Sequence, residues 1–424
     1  MRGSIAGAGR GAAPYPAGVT SRHLLSTFTG GLPRPFWVMW WGTVVNRLCG
    51  FVVPFLTLFL TARRDLTPVQ AAVVVSALGL GSFLSQLIGG ALADRVGRRR
   101  VMVLALTLSP PFLIVLGLAP TYPLILVAAF VFALISDMYR PASSAAIADL
   151  VPPAERTRAY GLMHWAVNLG FAFAPILAGL IAARSYTLLF AVDALTLLLY
   201  GVFILLGVPE TGRPGGHRGP RPGTLAVLGR EPMLLAFSAL TLLFALIMRQ
   251  AYVTLPLAMR ADGLGEDTYG AVIALNGLVI AAVGLFSARV LAPLVAPRVL
   301  SAALLLAGLG FGLGALADTP AVYALGVVVW TLGEVAQAAV APGLAAALAP
   351  AHLRGLYAGV LGATRGLGAL IAPALGGWVL EQYGNGLWWG CLGLGLLGSL
   401  GFLLLNGPLQ RRVHQGASAD STHA

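Results

Sequence analysis

The chain has 424 residues, 58% of them hydrophobic and only 10% charged, with a formal net charge of +12. That balance excludes a soluble globular domain, and the length suits many membrane spans better than one soluble unit. All 27 basic residues are arginine. Without lysine there is neither a Walker-type phosphate loop nor a Schiff-base nucleophile, so an ATP-hydrolysing site is excluded and most enzymatic readings lose their candidates.

Residues 1–35 hold four arginines and no acid, and are expected to form a disordered cytoplasmic tail with no apolar segment of signal-peptide length. Runs of about 20 apolar residues, enough to cross a bilayer as helices, then follow one another. Spans are predicted at 36–62, 69–93, 100–119, 121–150, 157–182 and 187–208, then at 232–259, 267–288, 298–317, 320–349, 354–381 and 386–407. Residues 209–231, rich in Pro, Gly and Arg, read as a cytoplasmic linker between two six-helix bundles, 36–208 and 232–407. Residues 408–424 read as a cytoplasmic carboxy-terminal tail. The predicted fold class is all-α and integral to the membrane, with 12 transmembrane helices as two halves related by a pseudo-two-fold repeat.

The six histidines include no HExxH pair, and Cys49 and Cys391 both fall inside predicted spans. Neither a disulfide nor a metal site is expected, and no cofactor. Arginine placement sets the expected orientation. With the amino terminus inside, 19 arginines fall on inner segments, four on outer ones and four within spans. The positive-inside rule then puts both termini in the cytoplasm.

The halves repeat at a shift of 198 residues. Pro152, Arg156, Gly161, Gly170, Pro175 and Gly179 of span 5 fall on Pro350, Arg354, Gly359, Gly368, Pro373 and Gly377 of span 11. A proline bends a membrane helix and small neighbours permit close packing, so these residues read as a packing kink in each half.

Between spans 2 and 3 the chain reads GGALADRVGRRR, residues 89–100. Gly90, Asp94, Arg95, Gly97, Arg98 and Arg99 fill every position of a glycine, three residues, an aspartate, a basic residue, any residue, a glycine and two basic residues. This hairpin strongly resembles the span 2–3 motif of the major facilitator superfamily. The resemblance implies alternating access, with substrate held at the midplane between two halves. It also implies an inner latch, in which Asp94 faces the start of span 11 and Arg98 pairs with Asp149 at the end of span 4. The stretch around Gly170, Pro175 and Gly179 resembles the span 5 motif of drug–proton antiporters, although Ala174 and Ala178 replace two of its glycines. That similarity points to the 12-span multidrug-efflux branch.

Charges inside spans are expensive and tend to face a polar cavity. Those nearest mid-depth are Arg47 in span 1, Asp137 and Arg140 in span 4, Glu334 in span 10 and Arg365 in span 11, with Arg249 in the outer half of span 7. In the family, spans 1, 4, 7 and 10 line the cavity, which makes these six residues the candidate substrate and proton site. The structural alternative pairs Asp137 with Arg140 one turn apart and Glu334 with Arg365 across helices. Asp193, near the outer end of span 6, reads as an interfacial charge, with a gate contact as the alternative, and is too shallow to carry a proton. Trp37, Trp40 and Trp41, and Trp388 and Trp389, read as interfacial anchors.

The expected function is proton-coupled efflux of lipophilic, drug-like molecules by a multi-pass protein of the cytoplasmic (plasma or inner) membrane. A permease for a small metabolite or organic anion is the alternative, and a non-transporting receptor or scaffold a third. The expected partners are a small-molecule substrate, protons and the lipid bilayer, with no nucleic acid, and the expected state is a monomer driven by the proton gradient alone.

Overall fold

The computed structural model describes residues 31–152, 155–182, 184–211, 231–291, 293–349 and 354–412. Among them every regular element is helical. The expected amino-terminal tail up to Gly30, the linker interior at 212–230 and the tail beyond residue 412 lie outside the described residues. Twelve helical segments are long and apolar enough to cross a membrane. Spans 1–6 are Arg34–Arg63, Pro68–Val96, Arg98–Leu118, Tyr122–Leu150, Arg158–Ala182 and Tyr186–Gly207. Spans 7–12 are Pro232–Tyr252, Glu266–Gly284, Ala296–Leu316, Pro320–Ala345, Val360–Tyr383 and Gly386–Leu404.

Local chemistry sets the ends. Thr67 and Gln70 form a reciprocal capping box at the start of span 2, which satisfies amides that have no partner within the helix. Gly97 ends span 2 and starts span 3 at φ +113, a conformation that glycine adopts without steric penalty. A side chain there would also strike the Glu210 carboxylate, 2.6 Å from a Cβ position. Glu210 in turn accepts hydrogen bonds from the amides of Arg99 (3.0 Å) and Arg100 (3.2 Å). An acid just beyond span 6 therefore caps span 3, where the helix dipole favours negative charge.

The 198-residue repeat is a geometric repeat. Gly170 of span 5 packs on Arg47 of span 1, and Gly368 of span 11 packs on Ala245 of span 7; each residue of the first pair lies 198 positions before its counterpart. Gly179 meets Gly270 of span 8, and Gly377 meets Ala72 of span 2, again displaced by 198. The first contacts lie within a half and the second join the halves, so one small-residue motif serves both. Small residues are what let helix backbones approach this closely in a membrane.

The two ends of the bundle differ. On the side away from the span 2–3 hairpin, the far face, five hydrogen bonds join the halves. Thr57 Oγ1 donates to the Tyr252 carbonyl (3.1 Å) and Arg260 Nη1 to Thr61 Oγ1 (2.9 Å). The Val69 amide donates to Glu381 (3.2 Å), Tyr186 Oη to Glu266 (3.0 Å) and the Ala374 amide to Ser76 Oγ (3.0 Å). On the hairpin face, Gly90, Gly161, Gly343 and Gly362 have no described atom within 4 Å of an added Cβ. Among the described residues, the hydrogen bonds between the halves all lie in the far half of the bundle.

Two expectations about tryptophan need correction. Trp388 is 1% exposed and stacks near Phe311, and Trp40 is 7% exposed and donates to the Leu162 carbonyl at 2.9 Å. Only their neighbours Trp41 and Trp389 are strongly exposed. Adjacent helix positions point about 100° apart, so one ring of each pair turns inward to pack.

Candidate functional site

Three spans that the sequence predicts as continuous are broken near mid-depth. Span 1 consists of Arg34–Leu48 and Val52–Arg63, and span 4 of Tyr122–Ser136 and Tyr139–Leu150. Span 7 passes from Pro232–Met248 through a tight turn at Arg249–Tyr252 to Thr254–Ala261. Irregular backbone at membrane depth is tolerated only where it is buried in protein or lines a polar cavity. A cavity of about 300 Å³ lies where the three breaks converge.

Its polar lining includes Asn46, Arg47, Asp137, Arg140, Asp193, Arg249 and Tyr252, and its apolar wall includes Val53, Val75, Leu78, Phe132 and Leu197. The charges sit on the breaks: Arg47 two residues before the one in span 1, Asp137 within the one in span 4, and Arg249 at the turn in span 7. Arg249, assigned by sequence to the outer half of its span, is therefore a central residue. Asp137 is held between a hydrogen bond from Ser82 Oγ of span 2 and the Arg140 guanidinium, whose Nε is 2.9 Å from Oδ1. The Arg140 side chain stays 52% exposed. Arg47 and Arg249 both lie within electrostatic reach of Asp137 and Arg140. Arg47, Arg140 and Arg249 thus share one cavity with Asp137 and Asp193, and Arg140 is the one paired with Asp137.

Below Arg47, Thr43 Oγ1 is 2.9 Å from the Tyr200 hydroxyl and 3.2 Å from that of Tyr139, and the two tyrosine hydroxyls hydrogen-bond to each other. Tyr200 also donates to the Met39 carbonyl at 2.9 Å. This network ties spans 1, 4 and 6 together beneath the cavity.

The other two candidate cavity charges lie elsewhere. Glu334 does not line this cavity. Its carboxylate accepts a 2.7 Å hydrogen bond from Asn276 Nδ2 of span 8, which also reaches Thr331 Oγ1 at 3.1 Å. Asn276 thus holds Glu334 in the contact between spans 8 and 10. Arg365 is exposed and, among the described residues, forms no ion pair with Glu334. It stands one helical turn before Ala369 and two before Pro373, both of which line the cavity. Its helix face is therefore the cavity face, nearer the hairpin end.

At the hairpin, Arg98 is 8% exposed and is shared by two acids. Its Nη2 is 3.0 Å from Asp94 Oδ1, and its Nε is 3.2 Å from Asp149 Oδ2, the latter an ion pair without hydrogen-bond geometry. Arg95 points outward and Arg99 donates to the Leu205 carbonyl. The side chains that begin span 11, where Asp94 is expected to face, lie outside the described ones.

Asp193 is the residue sequence reasoning misplaced. It is 7% exposed, lines the cavity and accepts a 3.2 Å hydrogen bond from the amide of Val52, the first residue of the second segment of span 1. Gly50 and Pro54 mark the break in span 1 in the sequence, but nothing local shows that Asp193 of another helix would meet the amide it frees. Glu210 was missed for a similar reason, because its partner amides are created by the turn at Gly97.

A helical membrane protein of two six-span halves, with charged helix breaks around a central cavity, is built as a transporter. The family model described as Major Facilitator Superfamily matches residues 39–335 and 244–421, and the chain belongs to that superfamily, whose members are transporters rather than enzymes. It is 24% identical over 363 residues to the MFS-type transporter YqjV of Bacillus subtilis (strain 168), covering 82% of this chain and 87% of that one. It is also 24% identical over 364 residues to a Na(+), Li(+), K(+)/H(+) antiporter of Planococcus maritimus, covering 78% and 85%. A crystal structure of a POT family transporter in complex with a thioalcohol-conjugated peptide superposes with a TM-score of 0.76, at 17% identity, over 90% of this chain and 98% of that one.

Proposed function

We propose that the protein is a secondary active transporter that exports lipophilic small molecules from the cytoplasm in exchange for protons. The arginine-rich hairpin face is the cytoplasmic face, by the positive-inside rule. On this reading the contacts between the halves at the far face close the outer end of the bundle. One observation carries the reading. Asp137 lies in a half-apolar cavity between Ser82 of span 2 and Arg140 of its own span, where a change in the Arg140 contact alters how strongly the carboxylate holds a proton. The similarity to a cation/H(+) antiporter supports exchange.

A second reading is favoured by the arginines. Arg47, Arg140 and Arg249 outnumber the acids at the cavity, which suits a small organic anion better than a cation. Transport by purified protein in proteoliposomes, with an imposed pH gradient, separates the two. Gradient-driven movement of lipophilic cationic dyes supports the first reading; movement of organic anions alone replaces it with the second. Movement of neither, from protein shown to be folded, removes both.

A further inference from the structure

The break in span 1 is closed by a residue of another helix. Val52 N donates to Asp193 Oδ2 at 3.2 Å, and the Phe51 amide lies within reach of the same carboxylate. A carboxylate therefore caps the positive end of a half-helix inside the apolar layer, which helix-terminal charge favours. The second half of the protein shows that the bend does not require this. Span 7 breaks at the equivalent height, yet the residue 198 positions after Asp193 is Cys391, which is neutral and 4% exposed. There the turn is held by neutral groups, the side chains of Thr254 and Gln250 and a carbonyl of span 11. Thr254 Oγ1 lies 3.2 Å from the Gln250 carbonyl and 3.0 Å from Gln250 Oε1, and Gln250 Nε2 donates to the Ala372 carbonyl at 3.2 Å. The fold bends a cavity helix without an acid in one half and adds an acid in the other. An ionisable group at this depth is expensive and is by default functional.

The segment that Asp193 caps is also the one that closes the far face. Val52–Arg63 carries Thr57 and Thr61, whose hydroxyls bond the Tyr252 carbonyl and Arg260 of the other half. On the other side of the break, Arg47 is pinned by Gly170. Asp193 thus sits at the joint between the two segments of span 1.

We propose that Asp193 is a proton-binding site whose charge sets the position of the outer half of span 1. The proposal rests on the proton-exchange reading above. A proton from cavity water adds to one carboxylate oxygen, and no other bond changes. The neutral carboxyl keeps one oxygen as a weaker acceptor for Val52 N, and its attraction to the Arg47 guanidinium is lost. The groups that face it are few. Span 1 presents Arg47 and Cys49, span 4 presents Asp137 and Arg140 across the cavity, and span 7 presents Arg249 and Tyr252. Tyr200 lies two turns along span 6 itself. Spans 3 and 5, packed against span 6, have no ionisable residue from Val101 to Leu118 or from Ala166 to Ala182.

Infrared difference spectroscopy of the full-length protein in proteoliposomes, recorded between acidic and alkaline pH, tests this without any substrate. The expected result is a protonated-carboxyl C=O band that is lost in Asp193→Asn and retained in Asp137→Asn. Asparagine can still accept from Val52 N, so Asp193→Asn keeps the cap while removing the titration. Its proton-driven accumulation is expected to fall about tenfold, with the pH dependence of transport flattened. Asp193→Ala removes the cap as well and is expected to lower the melting temperature. A pH-difference spectrum unchanged in Asp193→Asn, or a wild-type pH profile of transport in that variant, overturns the proposal. Loss of transport in the wild type leaves the spectroscopic result standing and bears on the exchange reading instead.

Discussion

Gly170 of span 5 lies so close to the backbone of Arg47 in span 1 that an added Cβ would stand 2.7 Å from the Arg47 carbonyl carbon. The contact fixes a cavity arginine from behind. Gly170→Val is therefore expected to push Arg47 out of register, at about 1–3 kcal/mol of strain. Transport should fall severely while membrane insertion is kept. Gly161→Val, nine residues earlier with no described atom within 4 Å of its Cβ, should be near neutral. Comparing the two variants in a vesicle transport assay checks the contact, and equal effects would refute it.

Arg98 is the shared partner of Asp94 and Asp149. Arg98→Ala leaves two acids without their common cation, whereas Asp149→Asn leaves Arg98 paired with Asp94. The arginine variant should lose transport more severely than the asparagine variant, with expression near normal in both. Asp94→Asn should also increase the accessibility of introduced cysteines from the cytoplasmic side. A double-mutant cycle of Arg98→Ala with Asp149→Asn should show non-additivity, since the two residues form one network. Additive losses would remove the latch and leave the arginines a topological role.

The far face should be sensitive to bulk at the repeated glycines. Gly179 would place a Cβ 2.9 Å from the Glu266 carbonyl of the other half, and Gly377 would drive one into Ala72. Gly179→Leu and Gly377→Leu should each prop the halves apart there and raise the labelling of far-face cysteines, in membranes of known orientation. Unchanged labelling in both would mean that the far-face seal does not depend on these crossings.

Substrate charge should be read by the cavity arginines. Replacing Arg47, Arg140 or Arg249 with glutamine, one at a time, should weaken transport of anionic substrates more than of neutral ones. The effect should shrink for Arg365→Gln, because Arg365 lies a turn towards the hairpin from the lining residues Ala369 and Pro373. Competition assays with matched anionic and neutral compounds measure this, and equal losses for both classes would make the arginines structural.

Asp137→Asn should abolish pH-driven accumulation while substrate binding remains, because asparagine keeps the hydrogen-bonding shape without a titratable proton. Glu334→Gln should have the smaller effect, as its carboxylate is held by Asn276 in a helix contact. Full proton-driven transport by Asp137→Asn in proteoliposomes would reassign the coupling group.

Twelve spans, their division into two halves and the family were legible in the chain because each rests on local or periodic information. Apolar run length reports bilayer crossing, and the hairpin motif is contiguous. Even the 198-residue repeat of span 5 in span 11 carried real geometry, since the matched glycines make matched contacts. The breaks at Leu48–Val52, Ser136–Tyr139 and Met248–Thr254 each lie about one turn before a proline, Pro54, Pro141 and Pro256, a local signal that bends or interrupts a helix. What the sequence could not show is which groups would complete them. These are partners far away in the chain, such as Asp193 for Val52 and Ala372 for Gln250. Those partners decided which charges meet. Arg47, Asp137, Arg249 and Asp193 converge because broken backbone needs polar company at that depth, while Glu334 was taken by Asn276. Hydropathy determined the number of crossings, and only the packing of distant helices determined which residues share the cavity.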